Sequence, residues 1–324
     1  MKAAVLTQFG LPPIYSDFPD PIPENDTQQL ITIKASAVKN LDKFRASGKH
    51  YSSYKTLPAV VGMDGVGVLE NGQSVYAQGI TGMIAEKGLI STSKYTLLPD
   101  GLDYATAAAL PNAVLGAAMA LRFRAGMKPG DTVLINGATG VTGQLAVQIA
   151  RHYGASQIIA TGRNHEALEK LKLLGADTVV SLKQDDEEII KQLKNIHVHN
   201  TIDIVVDYLW GKPIELIITA LKGQGGLNSF TPKVRIVTVG AMAGETISLT
   251  SGTLRSSAFE ILGSGFGSLS EEDFRTFDSE VLPEMFQLAA DGKLTIDTHS
   301  EKLENIEQAW NLEVGAGKRL VIEI

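Results

Sequence analysis

Three glycines, Gly137, Gly140 and Gly143, follow a short β-branched run at three-residue spacing and precede a helical pattern. The run at 133–135 is typical of a buried parallel strand, and the apolar spacing from Leu145 onward is typical of a helix. Because glycine has no Cβ, such a turn lets the backbone approach a pyrophosphate, and the helix offers unpaired N–H groups at its positive end. The spacing therefore predicts a cradle for the phosphates of a nucleotide.

A basic residue, Arg163, lies twenty residues after Gly143, where the second predicted strand ends. Sites that prefer NAD usually place an acidic residue there to hold the ribose 2′-hydroxyl, whereas a guanidinium attracts the 2′-phosphate of NADP. The pattern predicts NADPH as the cofactor. The spacing is GxxGxxG, which is looser than GxGxxG, so a glycine-rich turn with a solvated arginine is the alternative interpretation.

The composition limits the possible partners and the possible chemistry. At 324 residues the chain exceeds the roughly 250–300 residues at which one core stops growing, so two domains are expected. The net charge of −7 argues against nucleic acid and against an anionic membrane surface as partners. The sequence has no cysteine, which excludes a thiolate nucleophile, a cysteine-ligated zinc ion and an iron–sulfur cluster. We find no signal peptide and no apolar run of roughly 18–20 residues, so we expect a cytoplasmic protein without a membrane span.

The order of strand and helix patterns predicts two kinds of architecture. Short strands separated by Pro, Gly, Asn and Asp turns predict a largely antiparallel β domain in residues 1–115. The Ala- and Leu-rich stretch at 104–126 predicts a helix that Pro111 interrupts. From residue 131 strands and helices alternate, which predicts a parallel sheet covered on both faces. Helices are predicted at 165–174, 185–194, 213–222 and 271–291, and LVIEI ends the chain as a strand.

Six segments carry a family resemblance through their order and spacing: AVKNLDKFRASGKHY at 37–51, LPAVVGMDGVGVL at 57–69, PGDTVLINGATGVTGQLAVQIA at 129–150, LGAD at 174–177, VDYLWG at 206–211 and GKRLVIEI at 317–324. Over essentially its full length the chain resembles the medium-chain dehydrogenase/reductase superfamily, and most of all its zinc-independent quinone oxidoreductase branch. The resemblance implies an α/β fold with an N-terminal GroES-like, β-barrel-type domain and a doubly wound parallel-sheet (Rossmann) domain. Residues 1–115 and 270–324 would form the substrate domain, to which the C-terminal segment returns, and residues 116–269 would bind the dinucleotide.

Zinc-dependent members of the superfamily carry an early Cys ligand and a GHE sequence that supplies a His. This chain has Gly62, Met63 and Asp64 at the matching place. Because a catalytic zinc ion needs three N, O or S ligands from the protein, we expect no metal site. His197 and His199 form an HxH pair in a segment that resembles a turn before a strand, and surface histidines are the better interpretation.

The quinone reductase branch commonly has an Asn–Pro pair in the motif matched by residues 38–42, and its Asn lies near the nicotinamide and the substrate. Here Lys39 and Asn40 stand at those two positions. Lys39 could place a cation near an oxyanion, or it could point into solvent from a loop. The candidates for stabilising negative charge on a substrate oxygen are Lys39, Asn40, Tyr51 and Asn112. A proton could come from Tyr51 or from water.

The cradle and the loops that the resemblance places around a dinucleotide give a larger set of candidates. The predicted cofactor-binding residues are Gly137, Ala138, Thr139, Gly140, Val141, Thr142, Gly143, Thr161, Gly162, Arg163, Asn164, Asp207, Tyr208, Leu209, Trp210, Val239, Gly240, Ala241, Ser264, Gly265, Phe266 and Lys318. Tyr208 and Trp210 could instead be core residues. The segment at 264–266 could face a partner subunit, and Lys318 could be a surface lysine.

Hydride transfer is the chemistry that these features favour, because the nicotinamide itself carries the reactive hydrogen. We expect NADPH-dependent reduction of a quinone or an α,β-unsaturated carbonyl without metal. One alternative is an enoyl-thioester reductase, in which Lys43, Arg45 and Lys49 would meet the phosphates of a carrier. The other alternative is a non-catalytic NADPH-binding protein with a structural or regulatory role. The resemblance also suggests a homodimer.

Overall fold

The structure is a computed structural model, and it describes residues 1–223 and 230–324. Its strands are β1 (Lys2–Leu6), β2 (Ile14–Asp17), β3 (Gln28–Ala37), β4 (Ala59–Val60), β5 (Asp64–Val68), β6 (Ser74–Gln78), β7 (Lys87–Ser91), β8 (Thr96–Leu97), β9 (Thr132–Asn136), β10 (Gln157–Gly162), β11 (Thr178–Ser181), β12 (Ile204–Asp207), β13 (Val234–Thr238), β14 (Phe259–Gly263), β15 (Asp297–Lys302) and β16 (Lys318–Glu323). Its α-helices are α1 (Asn40–Ala46), α2 (Tyr104–Ala118), α3 (Val141–His152), α4 (His165–Leu173), α5 (Asp186–His199), α6 (Gly211–Leu221), α7 (Ser251–Arg255), α8 (Glu271–Thr276), α9 (Leu282–Ala290) and α10 (Ile306–Ala309).

The described chain divides into two compact units. The terminal unit consists of Met1–Asn112 and Thr276–Ile324, and the central unit consists of Ala113–Arg275.

The central unit is built on a six-stranded sheet in the order β11-β10-β9-β12-β13-β14. All neighbouring strands are parallel, which confirms the predicted sheet. Every residue of β9 is buried, as expected for a strand with helices on both faces. The strand order reverses between β9 and β12, and in open sheets of this kind the carboxyl ends beside such a reversal bind ligands.

The terminal unit contains a mainly antiparallel sheet in the order β15-β16-β3-β5-β6-β8, with β7 also paired to β3, and a small sheet β2-β1-β4. Alternate residues of β3, including Ile31, Ile33 and Ala35, are buried, as the period of two requires. The final strand β16 pairs antiparallel with β3, so that Val321 lies opposite Ala37. The C-terminal segment therefore returns to the N-terminal sheet, as predicted.

The helix around Pro111 differs from the prediction of an interruption. The helix α2 runs through Pro111 and continues as a π-helical turn at Met119–Arg124. The neighbouring side chains of Leu110, Ala113 and Val114 are buried, and packing of this kind outweighs the hydrogen bond that proline cannot donate.

The same helical stretch corrects the expectation about membrane spans. Tyr104–Arg124 is 21 residues long with a mean hydropathy of 1.4, so by length and composition it could cross a membrane. Because 67% of the apolar window is buried inside the protein, the stretch also fits the core helix of a globular protein.

The histidine pair lies in a helix rather than in a turn. The helix α5 extends to His199, five residues beyond the predicted end, and carries both His197 and His199 in its last turn. Cations and polar rings suit this end of a helix because they complement its carbonyl groups.

Candidate functional site

The turn between β9 and α3 brings the helix directly against the turn backbone. Gly137 has φ +85°, a left-handed conformation that glycine adopts without strain. A Cβ on Gly143 would lie 2.6 Å from the Cα of Ala138 and 2.7 Å from the carbonyl oxygen of Gly137. A Cβ on Gly140, the N-cap, would meet nothing closer than 3.8 Å. The fold therefore requires glycine at positions 137 and 143, whereas Gly140 has open space beside it.

The beginning of α3 offers hydrogen-bond donors to an anion. The N–H of Gln144 donates to the carbonyl of Gly140 at 2.9 Å, so the amides of Val141, Thr142 and Gly143 precede the first bond within the helix. No acidic residue lies in the first turn to compensate the positive end of the helix. Such an end binds phosphate groups.

Three side chains without solvent exposure connect the carboxyl ends of β9, β10 and β12. Asn136 donates from Nδ2 to Oδ1 of Asp207 at 2.7 Å, and its Oδ1 accepts the hydroxyl of Thr161 at 2.6 Å. The Thr161 oxygen also accepts the N–H of Gly137 at 3.2 Å. This chain of hydrogen bonds, the Asn136 network, fixes the glycine turn relative to the loop after β12.

The Asp207 carboxylate holds the loop that follows it. It accepts the N–H groups of Leu209 at 3.1 Å and Trp210 at 3.0 Å. Burial raises the pKa of Asp207, whereas the bonds from Leu209, Asn136 and Trp210 act to lower it. Trp210 has a φ of 53°, a positive value that residues with a Cβ seldom adopt. Strain of this kind costs about 1–3 kcal/mol and is often found at functional sites.

The loops after β12 and β13 contact each other and the glycine turn. The N–H of Val239 donates to the carbonyl of Asp207 at 2.8 Å, and that of Ala243 donates to the carbonyl of Leu209 at 2.7 Å. A Cβ on Gly137 would lie 2.9 Å from the Leu209 side chain. The structure thus brings together three of the segments that the sequence analysis assigned to a cofactor.

Both aromatic residues of the β12 loop have core contacts. The Tyr208 hydroxyl donates to the carbonyl of Gly116 at 3.2 Å. Trp210 packs, partly buried, against the apolar cluster that includes Leu134 and Ile236. The side chains of Tyr208, Thr161 and Asp207 are therefore engaged in hydrogen bonds within the central unit.

Arg163 is exposed directly after β10 and makes no ion pair with any residue in the described ranges. The next residue, Asn164, is the N-cap of α4, and its side chain accepts the N–H of Ala167 at 3.0 Å. This bond occupies the Asn164 oxygen. The guanidinium of Arg163 remains available beside the cradle.

The segment after β14 lies at the edge of the parallel sheet. The N–H of Ser264 donates to the carbonyl of Thr238 at 2.8 Å, and Gly265 donates to the Ser268 hydroxyl at 2.9 Å. The half-exposed Phe266 ring stacks on Phe274 with centroids 5.5 Å apart.

In the terminal unit, Lys39 is only 2% exposed, so the predicted placement in solvent is wrong. Its Nζ donates to the carbonyl of Ala37 at 3.0 Å and to Oδ1 of Asp64, and it lies 3.3 Å from Oδ2 of Asp42. The ammonium group therefore donates two hydrogen bonds and forms a further ion pair with Asp42. The reason is electrostatic, because two buried carboxylates require a neighbouring cation.

The surroundings of Lys39 form a buried ion cluster, consisting of Lys39, Asp42, Asp64, Tyr76 and Arg319. Burial acts to lower the pKa of Lys39, but the charges of Asp42 and Asp64 outweigh it, so this pKa is raised. Burial and the neighbouring Asp64, which accepts the Tyr76 hydroxyl at 3.0 Å, raise the pKa of Tyr76. Burial lowers the pKa of Arg319, against the effect of both carboxylates. The Nε of Arg319 has no hydrogen-bond partner in the described chain.

Comparisons with known proteins identify the family. Residues 141–283 match the family model described as zinc-binding dehydrogenase. Human quinone oxidoreductase is 28% identical over 291 residues, which cover 86% of this chain and 84% of that protein. The chloroplastic NADPH-dependent alkenal/one oxidoreductase of Arabidopsis thaliana is 34% identical over 189 residues, or 52% of this chain and 48% of that protein. The quinone oxidoreductase of Thermus thermophilus, also solved in complex with NADPH, has a TM-score of 0.77 and 25% identity over 100% of both chains.

The chain belongs to the medium-chain dehydrogenase/reductase superfamily and is quinone oxidoreductase-like. The predicted fold class is confirmed, since the central unit has the Rossmann strand order.

The positions that hold zinc in other members carry different groups in this dehydrogenase/reductase. Met63 lies where the His of GHE stands, and its backbone N–H donates to Oδ1 of Asp42 at 3.0 Å. The ammonium of Lys39 lies between the two carboxylates. In residues 1–223 and 230–324 no group of three or more His, Asp and Glu side chains is arranged to hold a metal ion. These residues do not fit a catalytic zinc ion.

The four residues predicted on the substrate side are not brought together by hydrogen bonds in the described part of the chain. Asn40 is exposed at the first position of α1, and Asn112 is half-buried in α2. Tyr51 is 87% exposed, and its ring centroid lies 4.1 Å from that of His50. Lys318 is exposed at the beginning of β16, next to the half-buried Arg319.

The basic residues proposed for a carrier thioester differ in availability. Arg45 donates to the carbonyl of Ser52 at 3.0 Å, and its guanidinium lies 4.7 Å from the ring centroid of Tyr54. Burial lowers the pKa of Lys43, whereas Lys49 is exposed. This dehydrogenase/reductase therefore uses Arg45 to hold its own loop.

Sequence reasoning missed the residues that organise each region. Asn136 had one signal, a polar side chain at the end of an apolar strand, where parallel sheets place functional groups. Tyr76 and Arg319 gave no such signal, because each lies in or beside the apolar run of an ordinary short strand.

Proposed function

We propose that this protein is a metal-independent reductase that uses NADPH to transfer hydride to a quinone or an α,β-unsaturated carbonyl. The observation that carries the proposal is Arg163, an exposed cation without an ion-pair partner in the described chain, placed after β10. The neighbouring strand β9 leads into the free N-terminus of α3. NADPH needs a helix N-terminus for its pyrophosphate and a guanidinium for its 2′-phosphate, and the central unit offers both.

The residues of the central unit fit such a cofactor. The close contact at Gly143 keeps the α3 N-terminus beside the turn, and the open space at Gly140 leaves room for a phosphate. The backbone at 137–143 would hold the pyrophosphate, Arg163 the 2′-phosphate, and the loops at 207–211 and 239–241 the nicotinamide half. The names of the human, Arabidopsis and Thermus relatives support the same reaction class. The Arabidopsis name and the Thermus complex also support NADPH.

When bound, the nicotinamide supplies the hydride. The chain must orient it and stabilise the charge that develops on the substrate oxygen. Lys39 is not among the proposed donors, because its ammonium is buried and contacts the carbonyl of Ala37 and the carboxylates of Asp64 and Asp42. The amide of Asn40, the hydroxyl of Tyr51 and the amide of Asn112 are the proposed donors. A proton for the product would come from Tyr51 or from water.

Metal independence is supported by the chemistry of the residues at the zinc positions. A thioether at Met63 replaces the His of the GHE sequence, and the chain has no cysteine that could supply a thiolate. Metal analysis of the purified protein should give far less than one zinc per chain, and one zinc per chain would contradict this part of the proposal.

The deciding experiment follows NADPH oxidation at 340 nm with quinones, enones and enoyl thioesters as acceptors. We expect turnover with quinones or enones. Faster turnover with thioesters would indicate an acyl reductase instead. Tight NADPH binding without turnover on any acceptor would indicate the non-catalytic alternative. The substrate role of the terminal unit, a homodimer and a cytoplasmic location stay predictions.

A further inference from the structure

The two buried carboxylates of the terminal unit are held in place by donors other than the lysine that lies between them. Asp42 accepts the backbone N–H of Lys39 at 2.9 Å and that of Met63 at 3.0 Å. Asp64 accepts the hydroxyl of Tyr76 at 3.0 Å. Shortening the Lys39 side chain removes none of these bonds. The carboxylates would therefore keep their positions without the ammonium group.

The two buried carboxylates form their ion pairs with that ammonium. Asp42 is fully buried and Asp64 is 6% exposed. Without the Lys39 ammonium, both carboxylates would lose this ion-pair partner. A buried charge of this kind is costly, so a vacated pocket would attract a small cation.

We propose that Asp42, Asp64 and the carbonyl of Ala37 form a cation site whose resident cation is the ammonium of Lys39. Two of the three oxygens accept hydrogen bonds from the ammonium, and the third forms an ion pair with it at 3.3 Å. They are too few for Mg²⁺, which demands six ligands, and they lack the nitrogen or sulfur that zinc prefers. The ligand class of the vacated site is thus a small primary alkylammonium ion. The site does not depend on which acceptor the enzyme reduces.

The test removes the Lys39 side chain beyond Cβ and supplies the missing alkylammonium group as a free ion in solution. Lys39→Ala deletes three carbons and the nitrogen, which together correspond to propylammonium. We expect the Tm of Lys39→Ala to fall well below that of the wild type and to rise saturably with propylammonium. The expected rise is about 2–3 °C at ten times the Kd.

Four controls isolate the site from general effects of salt and solvent. 1-Propanol has the same shape without charge, and tetramethylammonium has the charge without N–H donors. Neither should restore the Tm of Lys39→Ala. Propylammonium should not raise the Tm of the wild type or of Lys172→Ala, whose lysine forms an exposed ion pair with Glu169 at 2.8 Å. Equal rescue by tetramethylammonium, stronger rescue by Mg²⁺ or Zn²⁺, or an unchanged Tm of Lys39→Ala would each overturn the proposal.

A double-mutant cycle decides the matter if Lys39→Ala does not fold with or without propylammonium. The cycle compares Lys39→Met, Asp64→Asn and the double variant by thermal unfolding. If the ammonium compensates the carboxylate, the double variant loses less Tm than the sum of the single losses. Additive losses would show that Lys39 is not the cation of this site. Neither readout uses activity, so failure here is separate from failure of the proposed reaction.

Discussion

The two units each contain a buried polar network, and the two networks use their hydrogen-bond donors in opposite ways. The Asn136 network of the central unit joins three strand ends and leaves the first amides of α3 without partners inside the helix. The ion cluster of the terminal unit turns the Lys39 ammonium toward its own oxygens. The first arrangement leaves N–H groups available to a ligand, and the second satisfies its own charges. A buried charge in a motif that the family uses can therefore have partners within its own unit.

The largest effect is expected from Lys39→Met, which removes the cation and keeps the volume. Breaking a buried ion pair leaves an uncompensated carboxylate, so the free energy of unfolding should fall by about 3–5 kcal/mol. The NADPH affinity of the folded fraction should not change, because the Asn136 network shares no residue with the ion cluster. Denaturant unfolding and fluorescence titration measure the two quantities. Lys2→Met, which loses an exposed pair with Asp17, is the control and should cost under about 1 kcal/mol.

The sequence predicts a site well when the residues of that site lie close together along the chain. The glycine turn and Arg163 lie within one strand–helix–strand segment, so their spacing alone predicted a phosphate cradle. Lys39 is a residue type that is seldom buried, and its partner Asp64 is 25 positions away. Only the pairing of β3 with β5 brings them together. A single sequence gives no measure of that contact.

Elements without a regular pattern were missed for a related reason. The strand β15 has the sequence DTHSEK, which lacks alternating apolar residues, and it exists because it pairs in parallel with β16. The helix α1 was not predicted, although Asp42 accepts the N–H of Lys39 and so caps its beginning. In β15 tertiary pairing outweighs local propensity, whereas the cap of α1 is a local signal that the sequence analysis did not use.

Arg163→Glu tests whether the central unit selects NADPH, and we expect the next largest effect from it. Reversing the charge should weaken NADPH binding about 100-fold and leave NADH binding nearly unchanged, because only NADPH has the 2′-phosphate. Titrations with both cofactors measure this. Lys128→Glu is a suitable control, since Lys128 is exposed before β9, at the amino end of the strands. Equal losses for both cofactors would remove Arg163 from the 2′-phosphate site.

Gly143→Ala and Gly140→Ala separate the fold of the cradle from its surface. The new methyl group at Gly143 would collide with the backbone of Ala138, so Gly143→Ala should lose about 1–3 kcal/mol of stability and at least tenfold in NADPH affinity. At Gly140 the methyl group meets only open space, so Gly140→Ala should cost under about 1 kcal/mol. A loss of NADPH affinity in Gly140→Ala would then report a phosphate close to this residue. Equal stability of the two variants would contradict the close approach of α3.

The smallest expected effect concerns a titratable acceptor at the other end of the central sheet. His197 accepts the backbone N–H of Ile202 through Nδ1 at 3.0 Å, and Thr161 accepts the N–H of Gly137 in the same way. Protonation of the His197 ring would remove the acceptor at Nδ1, whereas the Thr161 hydroxyl does not titrate. Burial lowers the pKa of His197 below its ordinary value of 6.5. The neutral ring therefore stabilises the fold above pH 6.5, and this stability is lost as the pH falls from 6.5 through the lower folded-state pKa.

His197→Asn supplies an acceptor that does not titrate, so it separates the hydrogen bond from the charge. The Tm of this variant should match the wild type at pH 8 and exceed it near pH 5.5, and thermal unfolding across this range measures the gap. His199→Asn, at the exposed ring two residues later, should open no such gap. A wild-type Tm that follows His197→Asn at every pH would show that the ring stays neutral or that its bond contributes nothing. The hydrogen bond that His197 accepts at one end of the parallel sheet would then differ from the one that Thr161 accepts at the other end, both in its contribution to stability and in its chemistry.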